Sequence, residues 1–105
     1  SRDIHKLMEN AIYHHLKILG YEVYVGQLEK LEIDFVGIKK GQKIYIQSAY
    51  LITDRKTHDR EFGNLLKIQD SYPKYVVTMD NFTSGGNFEG INNIHLKDFL
   101  CKNTF

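Results

Sequence analysis

The chain has 105 residues and a formal net charge of +1 at pH 7, with 42 % hydrophobic and 26 % charged residues. This length suits one domain with a modest core, and the small net charge excludes a bulk basic or acidic surface, so a nucleic-acid contact would need a local patch. The single cysteine excludes an internal disulfide, and no stretch approaches the roughly 20 apolar residues of a membrane span. We therefore expect a cytoplasmic protein that makes no contact with a membrane.

The N-terminal part of the chain predicts a helix followed by a strand. Apolar residues recur at helical spacing from about Asp3 to Leu19, with Asp3 as a candidate N-cap and Gly20 as the residue that ends the helix. Residues 21–25 are rich in valine and tyrosine, which favours a strand. Because the helical pattern begins almost at the first residue, we expect the chain to be a fragment of a longer polypeptide.

The next two predicted strands carry the candidate chemistry. Two β-rich runs, 31–38 and 44–50, flank a short glycine-containing turn, which predicts a β-hairpin. Each run is mostly apolar but holds a polar residue near its middle, Asp34 in the first and Gln47 in the second. Burying an unpaired carboxylate is costly. A two-residue turn at Lys40-Gly41 or a four-residue turn places Asp34 opposite Gln47, whereas a three-residue turn moves Gln47 to the other face. The second run is apolar on both faces, so we expect it to be covered on both sides.

The second half of the chain adds a helix and a returning strand. The predicted elements are, in order, a helix from 57 to 71 with Thr57 as N-cap, a strand at 74–79, a loop at 80–90, a short edge strand at 91–95 and a helical turn at 96–100. This order predicts a single α/β domain, residues 1–105, with a mixed central sheet flanked by helices and a right-handed crossover between the third and fourth strands.

Several short motifs, taken together and in order, resemble a known family. They are Glu9-Asn10, Gly20 to Tyr24, Glu32 to Val36, Tyr45 to Gln47, Arg60-Glu61, Tyr72 to Val76, Gly90-Ile91 and Asp98 to Leu100. The order of elements resembles the restriction-endonuclease-like superfamily, the PD-(D/E)xK nucleases. The motif set is similar to the C-terminal domain of unknown function that follows the ATPase core in many bacterial and archaeal AAA-type ATP-binding proteins. The resemblance implies that such an ATPase core is a partner of this domain.

The resemblance also implies a site for metal-dependent cleavage of DNA and assigns residues to it. Asp34 corresponds to the aspartate of the second strand, Gln47-Ser48-Ala49 falls on the (D/E)xK element, and Glu9 corresponds to a glutamate that some relatives contribute from the first helix. Such residues would hold Mg²⁺ or Mn²⁺, which polarises the phosphate, while a lysine stabilises the developing charge. Here Gln47 brings no charge and Ala49 brings no amine, so two signature side chains are weakened or lost.

The same residues have structural interpretations that the sequence leaves open. Asp34 can accept hydrogen bonds from neighbouring backbone or from Gln47, and burial would then need no metal. Glu9 lies about 135° from the centre of the apolar stripe of its helix, which predicts a solvated position. The Arg60-Glu61 pair is typical of a solvated or capping pair near the start of a helix.

One local basic patch is present, formed by Lys39, Lys40 and Lys43 at the predicted hairpin turn. A solvated hairpin tip is the default interpretation of this patch, and contact with phosphate is the alternative.

Three hypotheses of function follow from these observations. The first is a degenerate nuclease-like domain that serves the ATPase as a binding or partner-recognition module without cleaving anything. The second is an active metal-dependent DNA nuclease that uses Asp34, Gln47 and Glu9. The third is a self-association module that forms a homodimer.

Overall fold

The computed structural model describes the backbone of residues 2–105 and the side chains from residue 3 onward. Its elements are α1 (Arg2–Ile18), β1 (Glu22–Val25), β2 (Phe35–Lys39), β3 (Gln42–Ala49), α2 (Arg55–Leu66), β4 (Lys74–Thr78), β5 (Asn87–Phe88), β6 (Ile91–His95) and α3 (Leu96–Leu100). The predicted α/β class, with a mixed sheet flanked by helices, is confirmed. None of the described helices is long and apolar enough to cross a membrane.

The sheet combines an antiparallel meander with parallel strands. Its order is β1-β2-β3-β4-β6-β5. Strands β1 to β3 pair antiparallel, α2 then carries the chain to β4, and β4 pairs parallel to both β3 and β6. The predicted strand at residues 91–95 is confirmed as β6, but it is not the edge strand, because the loop before it turns back as β5 and pairs with Ile91 and Asn92.

Apolar side chains cover β3 on both faces, as its sequence predicts. Ile44 and Ile46 point towards α1 and α3 and join a cluster that includes Ile12 and Phe99. The alternate residues, such as Tyr45, join a second cluster on the α2 side. A strand buried on both faces is typical of sheets with helices on each side.

The hairpin between β2 and β3 adopts the two-residue turn. Lys39 pairs with Gln42, and the turn residues Lys40 and Gly41 have φ values of 51° and 77°. Two consecutive positive φ values match the right-handed twist of a hairpin, so this turn fixes the register that places Asp34 opposite Gln47. Asp34 itself lies just before β2 rather than inside a strand, because the preceding residues form a tight turn closed by a bridge between Leu28 and Leu31.

Three helix boundaries differ from the sequence prediction. Helix α1 already includes Asp3, which therefore lies in the first turn and is not the N-cap. Helix α2 is capped by Asp54 and not by Thr57, because the Asp54 carboxylate accepts a hydrogen bond of 2.7 Å from the Thr57 amide. It ends at Leu66, five residues before the predicted end, where the Lys67 amide bonds to the carbonyl oxygens of the preceding turn.

Candidate functional site

The predicted site residues meet where α1, α2 and the start of the β2–β3 hairpin come together. A cavity of about 190 Å³ is lined by Glu9, Glu32, Asp34, Gln47, Ser48, Arg60, Glu61 and Asn64. The predicted solvated position of Glu9 is confirmed, because its side chain is exposed, yet it also lies on the rim of this cavity near Asp34. Helical periodicity predicts which face of α1 is buried in the core. The cavity lies at the edge of that face, so an exposed residue of α1 can still line it.

Asp34 is held by two hydrogen bonds to β3. Its Oδ2 atom accepts a hydrogen bond of 2.8 Å from the Ser48 amide, and its own amide donates to Gln47 Oε1 at 2.7 Å. Asp34 is only partly buried, so its carboxylate faces the cavity while remaining tied to the sheet. The aspartate therefore has a fixed position, which the hairpin register supplies.

The side chain of Gln47 forms a bridge between β3 and the segment before β2. Besides accepting from the Asp34 amide, it donates from Nε2 to the Glu32 carbonyl oxygen at 3.2 Å. The same carbonyl accepts a hydrogen bond of 3.0 Å from Asn64 Nδ2 on α2. Gln47 is 4 % exposed, and both polar atoms of its amide group are engaged by backbone. We call this arrangement the Gln47 bridge.

The electrostatics of the cavity are dominated by carboxylates. Burial raises the pKa of Asp34; the hydrogen bond from Ser48 opposes this shift, while Glu9 and Glu32 add to it. Burial and then the charge of Asp34 raise the pKa of Glu61, against the opposing effect of Arg60. Four carboxylates and one guanidinium line the cavity, so this corner is strongly negative in a chain whose net charge is +1.

Glu61 is the residue that the sequence interpretation underestimated. The Arg60-Glu61 pair is present, with Arg60 Nε 3.3 Å from Glu61 Oε1. However, the Glu61 side chain is 15 % exposed whereas that of Arg60 is 67 % exposed, so only the arginine is solvated. No local sequence signal places Glu61 against Asp34, because the contact depends on how α2 crosses the sheet.

The described residues do not fit the metal site that the resemblance implies. Gln47 Oε1 is already bound by an amide, Asp34 Oδ2 is bound by another, and Ala49 is buried at the position expected for lysine. Among residues 2–105, no three His, Cys, Asp or Glu side chains are close enough together to hold a metal ion. The Mg²⁺ or Mn²⁺ site therefore stays a prediction that this arrangement does not favour.

The three lysines of the predicted basic patch do not form one surface. The Lys39 ammonium donates to the Leu19 carbonyl oxygen at the end of α1 and lies 5.5 Å from the Tyr21 ring centre. Lys43 lies on the α2 side of the sheet, beside Tyr45, and Lys40 is exposed at the tip of the turn. Lys39 thus serves the packing of α1 against the sheet.

The raised pKa of Glu61 predicts a specific pH dependence. The native state holds this proton more tightly than the unfolded chain does, so ionising Glu61 costs stability as the pH rises through its raised pKa. We expect Glu61→Gln to raise the free energy of unfolding at pH 7 and to raise it much less near pH 4. Urea unfolding at several pH values measures this. Glu22→Gln, at an exposed position on β1, should show no such trend, and an equal effect at both pH values would contradict the interpretation.

Comparison with known proteins identifies one relative that bears on this chain. An uncharacterized protein of Haemophilus influenzae (strain ATCC 51907 / DSM 11121 / KW20 / Rd) is 36 % identical over 95 residues, which cover 90 % of this chain and 23 % of that protein. The chain thus spans less than a quarter of the length of this relative. No family model matches the sequence, and no solved structure matches it.

Proposed function

We propose that this chain is an accessory domain of a prokaryotic AAA-type ATPase, with a nuclease-like core that binds a partner or nucleic acid and does not cleave it. The observation that carries the proposal is the Gln47 bridge. At the position of the second catalytic carboxylate stands an amide whose oxygen and nitrogen are both engaged by backbone. A residue in this state stabilises the fold, and with 4 % of its surface exposed it presents little of its amide group to a ligand.

The topology supports a nuclease-like core. The order α1, three antiparallel strands, α2 and a parallel fourth strand is the order that the resemblance to the PD-(D/E)xK nucleases implies. Asp34 and Gln47 lie opposite each other at one end of the central hairpin, as the aspartate and the (D/E)xK element of such a core would. Fold alone does not assign an activity, so the function rests on the side chains.

The relative from Haemophilus influenzae supports the accessory role. Because the matched segment is 23 % of that protein, the rest of its sequence is long enough to hold a further domain. The ATPase core is the partner that the resemblance implies. The described chain would then contribute binding, while nucleotide hydrolysis would belong to the core.

The chemistry of the cavity supports binding without cleavage. Cleavage of a phosphodiester needs a metal ion or an equivalent positive charge near the scissile phosphate. Ala49 provides no amine, and the one guanidinium at the cavity, that of Arg60, already faces Glu61. The surplus of carboxylates repels a phosphate backbone, which favours a protein partner over DNA at this corner.

A metal titration tests the proposal. Mn²⁺ is titrated into the native chain and into Asp34→Asn, with calorimetry as the readout, and both are incubated with single-stranded, duplex and branched DNA. We expect no saturable binding up to millimolar Mn²⁺ and no cleavage. Saturable binding together with cleavage, both lost in Asp34→Asn, would overturn the proposal and establish the second hypothesis, a metal-dependent nuclease that uses Asp34, Gln47 and Glu9.

A gain-of-function variant sharpens the same test. Gln47→Glu restores the second carboxylate opposite Asp34. If the core is nuclease-like and only its site is degenerate, this variant should bind Mn²⁺ more tightly than the native chain. Glu22→Gln serves as the control for a change of carboxylate elsewhere on the sheet.

A further inference from the structure

We infer that the open edge of β1 docks an extended, basic segment of a partner protein, which adds to the sheet as a further strand. The inference rests on the proposed function, because it names the partner surface of a binding domain. Three observations carry it: an unpaired strand edge, an apolar groove beside it and a cluster of carboxylates at the groove's rim.

The edge of β1 presents backbone groups that can pair with another strand. The Gly26 amide donates to the Asp34 carbonyl oxygen, which makes this pair a hydrogen-bonded one. Since such pairs alternate along an antiparallel ladder, Tyr24 bonds inwards to β2 while Val23 and Val25 direct their N–H and C=O groups outwards. Among the described residues no strand pairs with this side of β1.

The edge has few of the features that normally protect an edge strand, which are charged side chains, proline, a bulge or extreme shortness. Its one charged residue is Glu22, which is acidic and so does not repel a basic partner. Strand β5, at the other edge of the sheet, has only two residues. Strand β1 has four, with the sequence Glu-Val-Tyr-Val, and Tyr24 and Val25 are 52 % and 62 % exposed. An exposed apolar edge of this kind is a template for pairing with another chain.

A groove lies beside the end of this edge. Its volume is about 490 Å³, and its apolar wall consists of Tyr13 on α1, Val25 on β1 and Phe35 on β2. Glu9, Asn10 and Asp34 form its polar rim. A strand added to β1 places alternate side chains on the α1 face of the sheet, where this groove can accept an apolar one.

The negative charge at the rim of the groove favours a basic partner. Glu9 and Asp34 repel each other, and Glu32 and Glu61 add to the negative charge around Asp34. A lysine or arginine next to the apolar side chain of the incoming strand would neutralise these carboxylates. A segment that alternates apolar and basic residues therefore matches both the groove and its rim, whereas a nucleic-acid backbone does not.

The test uses a designed peptide as the probe. A fluorescein-labelled nonapeptide of alternating valine and arginine is titrated with the full chain and followed by fluorescence anisotropy. Two matched peptides serve as controls, one with glutamate in place of arginine and one with alternate backbone nitrogens methylated. We expect the first peptide to bind in the micromolar range and each control to bind at least about tenfold more weakly, since one lacks the charge and the other the ladder hydrogen bonds.

Variants of the chain locate the site. Val25→Pro removes an outward amide and should weaken binding about three- to tenfold, and Glu9→Gln should weaken it about threefold and reduce its salt dependence. Ile18→Ala, at an exposed apolar position at the end of α1, should leave binding unchanged. Amide chemical shifts in a titration should move at Val23 and Val25 rather than at β5.

Each negative result overturns the inference. No binding up to millimolar peptide, or equal binding of all three peptides, excludes an augmented β1 edge. A dimer in light scattering that Val25→Pro converts to monomer, without peptide binding, would mean that the edge pairs with a second copy of the chain. These results leave the proposed function intact, since only Asp34-dependent Mn²⁺ binding and cleavage contradict that.

Discussion

Replacing Gln47 with leucine is expected to lower the free energy of unfolding by about 1–3 kcal/mol, a sizeable fraction of the stability of a domain of this size. Leucine fills most of the volume of the buried glutamine but bonds to neither backbone group. The Asp34 amide would then lose its partner, whereas the Glu32 carbonyl would lose the bond from Gln47 but keep the one from Asn64. Each unsatisfied buried group costs about 1–3 kcal/mol. Urea unfolding of the variant and the native chain measures the difference.

A second substitution at the same position separates hydrogen bonding from packing. Protonated glutamic acid can donate to the Glu32 carbonyl and accept from the Asp34 amide, so Gln47→Glu should be nearly as stable as the native chain near pH 4. At pH 7 its ionised carboxylate would face Asp34 without a donor proton, and it should be less stable than at pH 4 relative to the native chain. The leucine variant should show no comparable pH dependence. If leucine costs less than about 0.5 kcal/mol, the bridge does not hold the site together, and the main support for a degenerate core is lost.

The sequence predicts the hairpin well because its signals are local. The two apolar runs around Lys40-Gly41 predict that two strands pair there. The length of the turn sets which residues lie opposite each other, and the sequence leaves this length open. A lysine at φ 51° is uncommon, so a three-residue turn with only the glycine in the left-handed region is an equally reasonable expectation. The structure selects the two-residue turn, which brings Asp34 and Gln47 together and buries both faces of β3.

The composition of the site is less predictable, because it depends on contacts between distant elements. Glu9 and Glu61 come from different helices, and neither helical periodicity nor local charge reveals that both face the same cavity. The two-residue strand β5 is likewise hidden, since Asn87 and Phe88 are a strand only by pairing with β6. The motifs around Asp34 and Gln47 indicate where the site is, while its charge appears only when α1 and α2 are placed.

The segment Tyr72 to Val76, which contributes to the family resemblance, has a structural role in this chain. It brings the chain from the end of α2 into β4, and its Lys74 is almost fully buried. The Lys74 ammonium donates to the carbonyl oxygens of Asp70 and Tyr72 and to the Asp70 carboxylate at 2.9 Å. Tyr45 on β3 donates to the same carboxylate, so these side chains join α2, β3 and β4 behind the site.

Lys74→Met is therefore expected to lower the free energy of unfolding by about 2–3 kcal/mol, because it leaves the Asp70 carboxylate and two carbonyl oxygens without their cation. Burial alone would raise the pKa of Asp70, but hydrogen bonds from Tyr45 and Lys74 hold it below its ordinary value. This stabilisation is present above the unfolded pKa and is lost as the pH falls through the native one, so the difference between variant and native chain should shrink in acid.

Two controls accompany Lys74→Met. One removes the charge of an exposed lysine elsewhere on the chain, and the other removes only the hydrogen bond from Tyr45 to Asp70. Lys67→Met removes an exposed lysine at the end of α2 and should change stability by less than about 0.5 kcal/mol. Tyr45→Phe removes only the phenolic hydrogen bond and should cost about 1 kcal/mol, less than the lysine variant. If Lys74→Met proves as stable as the native chain, the apolar stem rather than the ammonium holds this junction.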